Sequence, residues 1–134
     1  MFSFSTKIRV RYGETDQMGY MYYGNYALYY EVARVEMMRS TGITYRSMED
    51  SGIMLPVLEL HVKYLRPAYY DEEITVKVSM DKLPGIKMHL RYELMNEAGQ
   101  LINTGETTLA FINTKTNRPC LPPEGFLEKL KAHF

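Results

Sequence analysis

The second half of this chain constrains its fold most, because three apolar segments there are separated by connections too short to cross over a sheet. The stretches 74–80, 88–95 and 101–112 read as strands, with the turn signals LPG at 83–85 and NEAG at 96–99 between them. Links of that length join only antiparallel neighbours, so the three segments are expected to form a meander. Ile74, Val76, Val78 and Met80 alternate with Thr75, Lys77 and Ser79, the pattern of a sheet with one buried and one solvated face.

Something must cover the buried face, and one segment is long enough to do it. From about Asn25 to Thr41 there is no proline or glycine, and Tyr26, Tyr29, Tyr30, Ala33 and Met37 recur at helical spacing. Gly42 follows where a C-terminal cap favours glycine. Glu31 with Arg34, and Glu36 with Arg39, are each spaced three apart and are expected to pair on the exposed flank. Two further strands are predicted, Lys7 to Tyr12 with Ile8, Val10 and Tyr12 on one face, and Val57 to Leu65 after Pro56. Thr44 is placed to cap a short helix in TYRSMED, and Phe126, Leu127, Leu130 and Phe134 give the tail an amphipathic helical pattern. The expected class is α+β, a five-stranded antiparallel sheet wrapped around one long central helix.

At 134 residues and 46% apolar content, the chain can bury one core and leaves no room for a second domain of ordinary size, so residues 1–134 are read as one domain. Lysine plus arginine equals aspartate plus glutamate at 16 each, which argues against partners that bind through a net field, such as nucleic acid or an anionic membrane. Cys120 has no second cysteine to pair with, and the opening MFSFSTKIRV lacks the apolar core of a secretory signal, so a cytoplasmic location is expected. No stretch approaches the roughly 20 apolar residues that membrane insertion as a helix requires. Twelve tyrosines and ten methionines without a tryptophan supply side chains that line a pocket as readily as they fill a core.

The loop GETDQMGYMYYGNY, residues 13–26, concentrates the distinctive chemistry ahead of the helix. Tyr12, Asp16, Gly19 and Tyr22, followed by Glu31, Ala33 and Arg34, resemble the signature of the 4-hydroxybenzoyl-CoA thioesterase branch of the hotdog superfamily. The run KYLRPAYYDE at 63–72, with Pro67 and Asp71, is similar to the family's second-strand exit. The Tol-Pal-associated acyl-CoA thioesterases, a nearby branch, usually carry histidine after the conserved tyrosine, where this chain has Tyr23. The resemblance implies a hotdog fold and hydrolysis of a small or medium, aliphatic or aromatic, acyl-CoA thioester. It also implies a homodimer or homotetramer whose acyl pocket lies between subunits.

Thioester hydrolysis needs an oxygen nucleophile at the carbonyl carbon and donors for the oxyanion that develops. The catalytic candidates are Asp16, as nucleophile or general base, and Tyr23, whose backbone N–H the resemblance makes the carbonyl donor. A positioned base and an oxyanion donor together supply on the order of 5 to 10 kcal/mol. Gly24, Asn25 and His61 are candidate substrate contacts, and Arg66, Lys82, Lys87 and Arg91 are candidates for the phosphates of coenzyme A. Coenzyme A enters as part of the substrate, so no cofactor is expected. His61, His89 and His133 lack ligand spacing, so no metal is expected either.

Blander roles compete with these. An aspartate or asparagine before a helix is often only a cap, which is open to both Asp16 and Asn25. Two rival functions stand beside acyl-CoA hydrolysis: release of acyl groups from acyl carrier protein, and a non-catalytic acyl-CoA-binding module.

Overall fold

The computed structural model describes residues Met1–Phe134. Five strands pair antiparallel: β1 (Phe2–Arg9), β2 (Val57–Tyr64), β3 (Glu73–Met80), β4 (Lys87–Met95) and β5 (Leu101–Ala110); burial alternates along β3 and β4, whereas β2 buries none of its residues. Their order across the sheet is β1-β3-β4-β5-β2, so the predicted meander forms its middle and the two N-terminal strands take the edges. Phe2 pairs with Met80 and Arg9 with Glu73 at one edge, while Val57 pairs with Leu109 and Tyr64 with Asn103 at the other.

The helix α1 (Tyr26–Ser40) lies against the inner face. Tyr26, Tyr29, Tyr30, Ala33, Met37 and Met38 are all buried, and they meet Ile74, Val76, Val78 and Met80 of β3 and Met88, Leu90, Tyr92 and Leu94 of β4 in one apolar cluster. Burying each such large side chain stabilises the fold by about 1.5–3 kcal/mol. This is the hotdog arrangement that the resemblance implied.

One close approach fixes the helix against the sheet. The Tyr30 ring stacks on Tyr92 of β4 at a centroid distance of 4.2 Å and an interplanar angle of 8°, and its hydroxyl donates to Asn103 Oδ1 on β5. A Cβ at Gly105 of β5 would overlap the Tyr30 ring and hydroxyl, so only glycine admits this packing.

The periphery is built from short pieces. The helix α2 (Tyr45–Asp50) is capped by Thr44, whose hydroxyl accepts from the Ser47 N–H at 3.0 Å. A small ribbon joins Ile53–Met54, Ile112–Asn113 and Arg118–Pro119. The tail helix α3 (Phe126–Lys131) buries Phe126 and Leu130, with Phe126 edge-on to Phe111. No helix is long and apolar enough to cross a membrane.

The structure revises several details of the sequence reading. The first strand begins at Phe2 and ends at Arg9, because FSFS pairs with β3 although its serines weaken the apolar alternation. Tyr12 consequently leaves the strand and stands exposed in a turn at Tyr12–Glu14. The last strand stops at Ala110, since Phe111 turns into the core before the ribbon starts. Arg34 does not pair with Glu31 on the surface; it is buried and donates to the phenol oxygens of Tyr45 at 3.0 Å and Tyr92 at 3.1 Å.

Candidate active site

The segment between β1 and α1 folds back on itself as a narrow hairpin. Its two arms meet through an isolated bridge between Thr15 and Met21, the Asp16 N–H donates to the Tyr20 carbonyl at 2.8 Å, and Gly19 closes the tip with φ 79°. Positive φ is the conformation that favours glycine there. A second bridge, Tyr20 to Tyr69, and a bond from the Met21 N–H to the Ala68 carbonyl at 2.7 Å pin the hairpin to the chain leaving β2.

Asp16 sits near the hairpin tip, half-buried. Its Oδ1 accepts from the Met18 N–H at 2.9 Å and the Tyr20 N–H at 3.2 Å, so one carboxylate oxygen belongs to the turn. The other, Oδ2, accepts no hydrogen bond from the protein. A cleft of about 280 Å³ opens beside it, with Asp16 and Arg66 as its charged groups and Met18, Tyr20, Met21, Tyr23, Tyr26, Tyr64, Leu65 and Pro67 as its other walls. Asp16 is therefore a turn-forming residue with one carboxylate oxygen unbonded, on the wall of a largely apolar cleft.

The hairpin runs into a tight turn at Tyr23–Asn25 that leads directly into α1. The Asn25 N–H donates to the Tyr22 carbonyl at 3.0 Å, but neither the Tyr23 N–H nor the Gly24 N–H has an acceptor in the protein. Unpartnered amides at a helix start carry partial positive charge and point outward along the axis. Asn25 does not cap the helix with its side chain; its Nδ2 instead donates to the Glu14 carbonyl at 3.0 Å. Gly24 has its own steric reason, since a Cβ there would come within 2.7 Å of the Tyr22 ring.

The other candidates divide by location. Arg66 lines the cleft with Asp16 and Tyr23. His61 and Arg91 lie instead in a polar groove of about 340 Å³ on the outer face of the sheet, with Lys63, Glu93 and Glu106. That groove is the larger of the two, but it is polar, and its Arg91 is engaged by Asp81 and its Glu106 by His89, whereas the smaller cleft combines apolar walls with a free carboxylate oxygen. Arg91 donates to both oxygens of Asp81 at 2.8 and 2.9 Å, and this bond holds the Asp81 carboxyl below its ordinary range. Lys87 begins β4 and Lys82 lies in the turn before it, both exposed and outside the cleft of their own chain.

Glu14 and Tyr64, which carry this architecture, were not singled out from sequence, and Tyr29 was placed only on the core face of the helix. The Glu14 carboxylate accepts from the Arg11 N–H and from the Tyr29 hydroxyl, each at 2.8 Å. Burial, then the bond to Glu14, pushes the Tyr29 phenol well above its ordinary 10.0. Tyr64, at the end of β2, donates its hydroxyl to the Tyr23 carbonyl at 3.1 Å and packs edge-on against Tyr26. The available signal was the phenol itself, because a tyrosine read as core must still find a partner for its hydroxyl.

Comparison with known proteins extends the geometry. The family model described as the thioesterase-like superfamily matches residues 10–130. The chain belongs to that superfamily. YneP of Bacillus subtilis (strain 168), whose name proposes an acyl-CoA thioesterase, is 37% identical over 95 residues, 71% of this chain and 69% of that protein. The acyl-CoA thioester hydrolase YbgC of Escherichia coli O157:H7 is 23% identical over 128 residues, 96% of each chain. Among solved structures, a DHNA-CoA thioesterase from Staphylococcus aureus superposes with a TM-score of 0.90 at 38% identity, over 98% of this chain and 89% of that one. A 4-hydroxybenzoyl-CoA thioesterase structure at 18% identity and a TM-score of 0.86 shares the fold.

Proposed function

We propose that this thioesterase hydrolyses small or medium acyl-CoA thioesters to free acid and coenzyme A, with Asp16 as the reacting carboxylate. The observation that carries the reading is one apolar cleft lined by both Asp16, whose Oδ2 is free of protein hydrogen bonds, and Tyr23, whose N–H has no acceptor in the protein. A thioester carbonyl oxygen seated at the Tyr23 N–H meets a fixed donor and the positive end of α1, both of which favour the negative charge that develops on attack. Oδ2 then either attacks the carbonyl carbon, giving an acyl-aspartyl anhydride that water cleaves, or takes a proton from an attacking water. In both routes the thiolate leaves without needing a strong acid.

The names of the relatives support coenzyme A as the carrier: YneP and YbgC are named for acyl-CoA, and a Staphylococcus aureus protein of this fold was solved in complex with CoA. Arg66 is the one cation lining the cleft and suits its phosphates. The tyrosine walls suit an aromatic acyl group by edge and face contact, and the methionines adapt to an aliphatic one.

Two subunits complete the site in this reading. β2 is an edge strand whose Val57, Leu58, Leu60, Tyr64 and the following Leu65 are exposed, a row that natural edges seldom leave uncovered. Pairing of this edge with a second copy would form a homodimer and bring His61 of one chain toward the cleft of the next, with Lys82, Lys87 and Arg91 placed for the coenzyme A of a neighbouring subunit in the homodimer or homotetramer.

Asp16→Asn tests the assignment, since an amide oxygen keeps both turn bonds while losing nucleophile and base. Turnover of a panel of aliphatic and aromatic acyl-CoAs should fall by at least about 10²-fold with the fold and oligomer intact. Retained activity would refute the role of Asp16. Tight binding by the wild-type protein without turnover would instead favour the binding module, and faster release from acyl carrier protein at equal acyl length would favour that carrier.

A further inference from the structure

We infer that Glu14 is a positioning residue, holding the Asp16 carboxylate and the Tyr23 amide at a fixed separation by tying both to the buried hydroxyl of Tyr29. The inference rests on the functional reading above and goes beyond it, since Glu14 does not line the cleft.

Glu14 is bonded on both its side chain and its main chain. The carboxylate accepts from the Tyr29 hydroxyl and the Arg11 N–H, each at 2.8 Å. The carbonyl accepts from the Tyr22 N–H at 2.8 Å and from Asn25 Nδ2 at 3.0 Å. Tyr29 is 2% exposed and belongs to the first turn of α1, so the fixed point lies in the packed core and not in the loop.

The consequences run in both directions along the chain. Two residues after Glu14 comes Asp16, whose main chain continues the same hairpin through its bond to Tyr20. Across the hairpin, the Tyr22 N–H is held by Glu14 and the Tyr22 carbonyl by the Asn25 N–H. The peptide joining Tyr22 to Tyr23 is planar, so fixing that carbonyl aims the Tyr23 N–H the opposite way, and the proposed carbonyl donor inherits its direction from Glu14. A carboxylate suits this place because its bonds to an N–H and an O–H are charge-assisted, hence shorter and stronger than neutral ones. A misplacement of about 1 Å between reacting groups costs on the order of 10²-fold in rate, so the brace acts on turnover without touching substrate.

The test compares Glu14→Ala, Glu14→Gln and Tyr29→Phe with wild type in steady-state hydrolysis of benzoyl-CoA and hexanoyl-CoA, together with amide hydrogen exchange over residues 16–24. Glu14→Ala should lower kcat by about 10- to 100-fold with little change in KM, because the acyl walls stay in place. Tyr29→Phe, which keeps the ring in the core, should lower kcat in the same direction. Glu14→Gln keeps an acceptor oxygen and should recover most of the loss. Exchange over 16–24 should quicken in Glu14→Ala and Tyr29→Phe. A folded Glu14→Ala protein with wild-type kcat, or a loss carried by KM alone, would overturn the inference. If wild type hydrolyses neither thioester, the proposed function fails and the exchange decides the brace alone: quickened exchange supports it and unchanged exchange overturns it.

Discussion

A single missing methyl group governs how closely the central helix meets the sheet. Gly105 leaves room for Tyr30 to stack on Tyr92 and bond to Asn103, and any side chain there would push the ring out of that slot. Gly105→Ala is expected to destabilise the fold by about 1–3 kcal/mol, read as a lower Tm and an earlier urea midpoint. Sequence spacing placed Tyr30 on the core face but said nothing of Gly105, because the contact joins residues far apart in the chain. Arg34 shows the same limit. Its distance of three from Glu31 marks two neighbours on a helix, yet α2 lays Tyr45 over that face and takes the guanidinium inside. Asp16 was legible because its motif is local; the bond from Tyr29 to Glu14 was not, because it links a loop to a helix whose relative placement only the fold decides.

Two elements set the working geometry, the hairpin carrying Asp16 and the edge strand β2. Tyr64 at the end of β2 reaches the Tyr23 carbonyl, and the peptide on that carbonyl carries the Gly24 N–H. Tyr64→Phe removes this bond while keeping the ring against Tyr26, and kcat is expected to fall several-fold, by about 1 kcal/mol of lost orientation, in the same thioester assay. Along the strand, the exposed Leu60 tests self-association: Leu60→Lys should shift sedimentation toward the monomer and reduce activity with it, because a charge on an uncovered edge disfavours pairing. The existence of five strands and the order of the last three were readable from composition, alternation and turn lengths, while the edge positions of β1 and β2 came only with the fold. The start of β1 was not, since the serines of FSFS weaken the signal that pairing with β3 supplies.

Across the whole molecule, the choice of tyrosine as the large core residue makes the fold sensitive to alkali. Burial pushes the Tyr45 phenol up to about 12, against the lowering effect of the Arg34 charge, and it raises Tyr29 and Tyr30 further. The unfolded chain releases these protons near pH 10 while the folded chain keeps them, so above that pH the folded state binds more protons and stability falls as pH rises. The contribution is fully present below about pH 10 and is lost as pH climbs through about 12. Unfolding followed by circular dichroism should coincide with the phenolate absorbance of the buried tyrosines; a phenolate signal that rises fully before unfolding would show that their hydroxyls are open to solvent. The wrapped-helix architecture needed no such detail, because one uninterrupted helix and a meander leave few other ways to cover one apolar face.

The knot of hydrogen bonds at position 16 asks for a lone pair and is indifferent to charge. The same pocket can thus be prepared in a silent form that keeps its contours, and such a form would retain an uncleaved ester long enough for mass spectrometry to weigh it. Presented with a mixture of cellular thioesters, the disarmed protein would report its own preference.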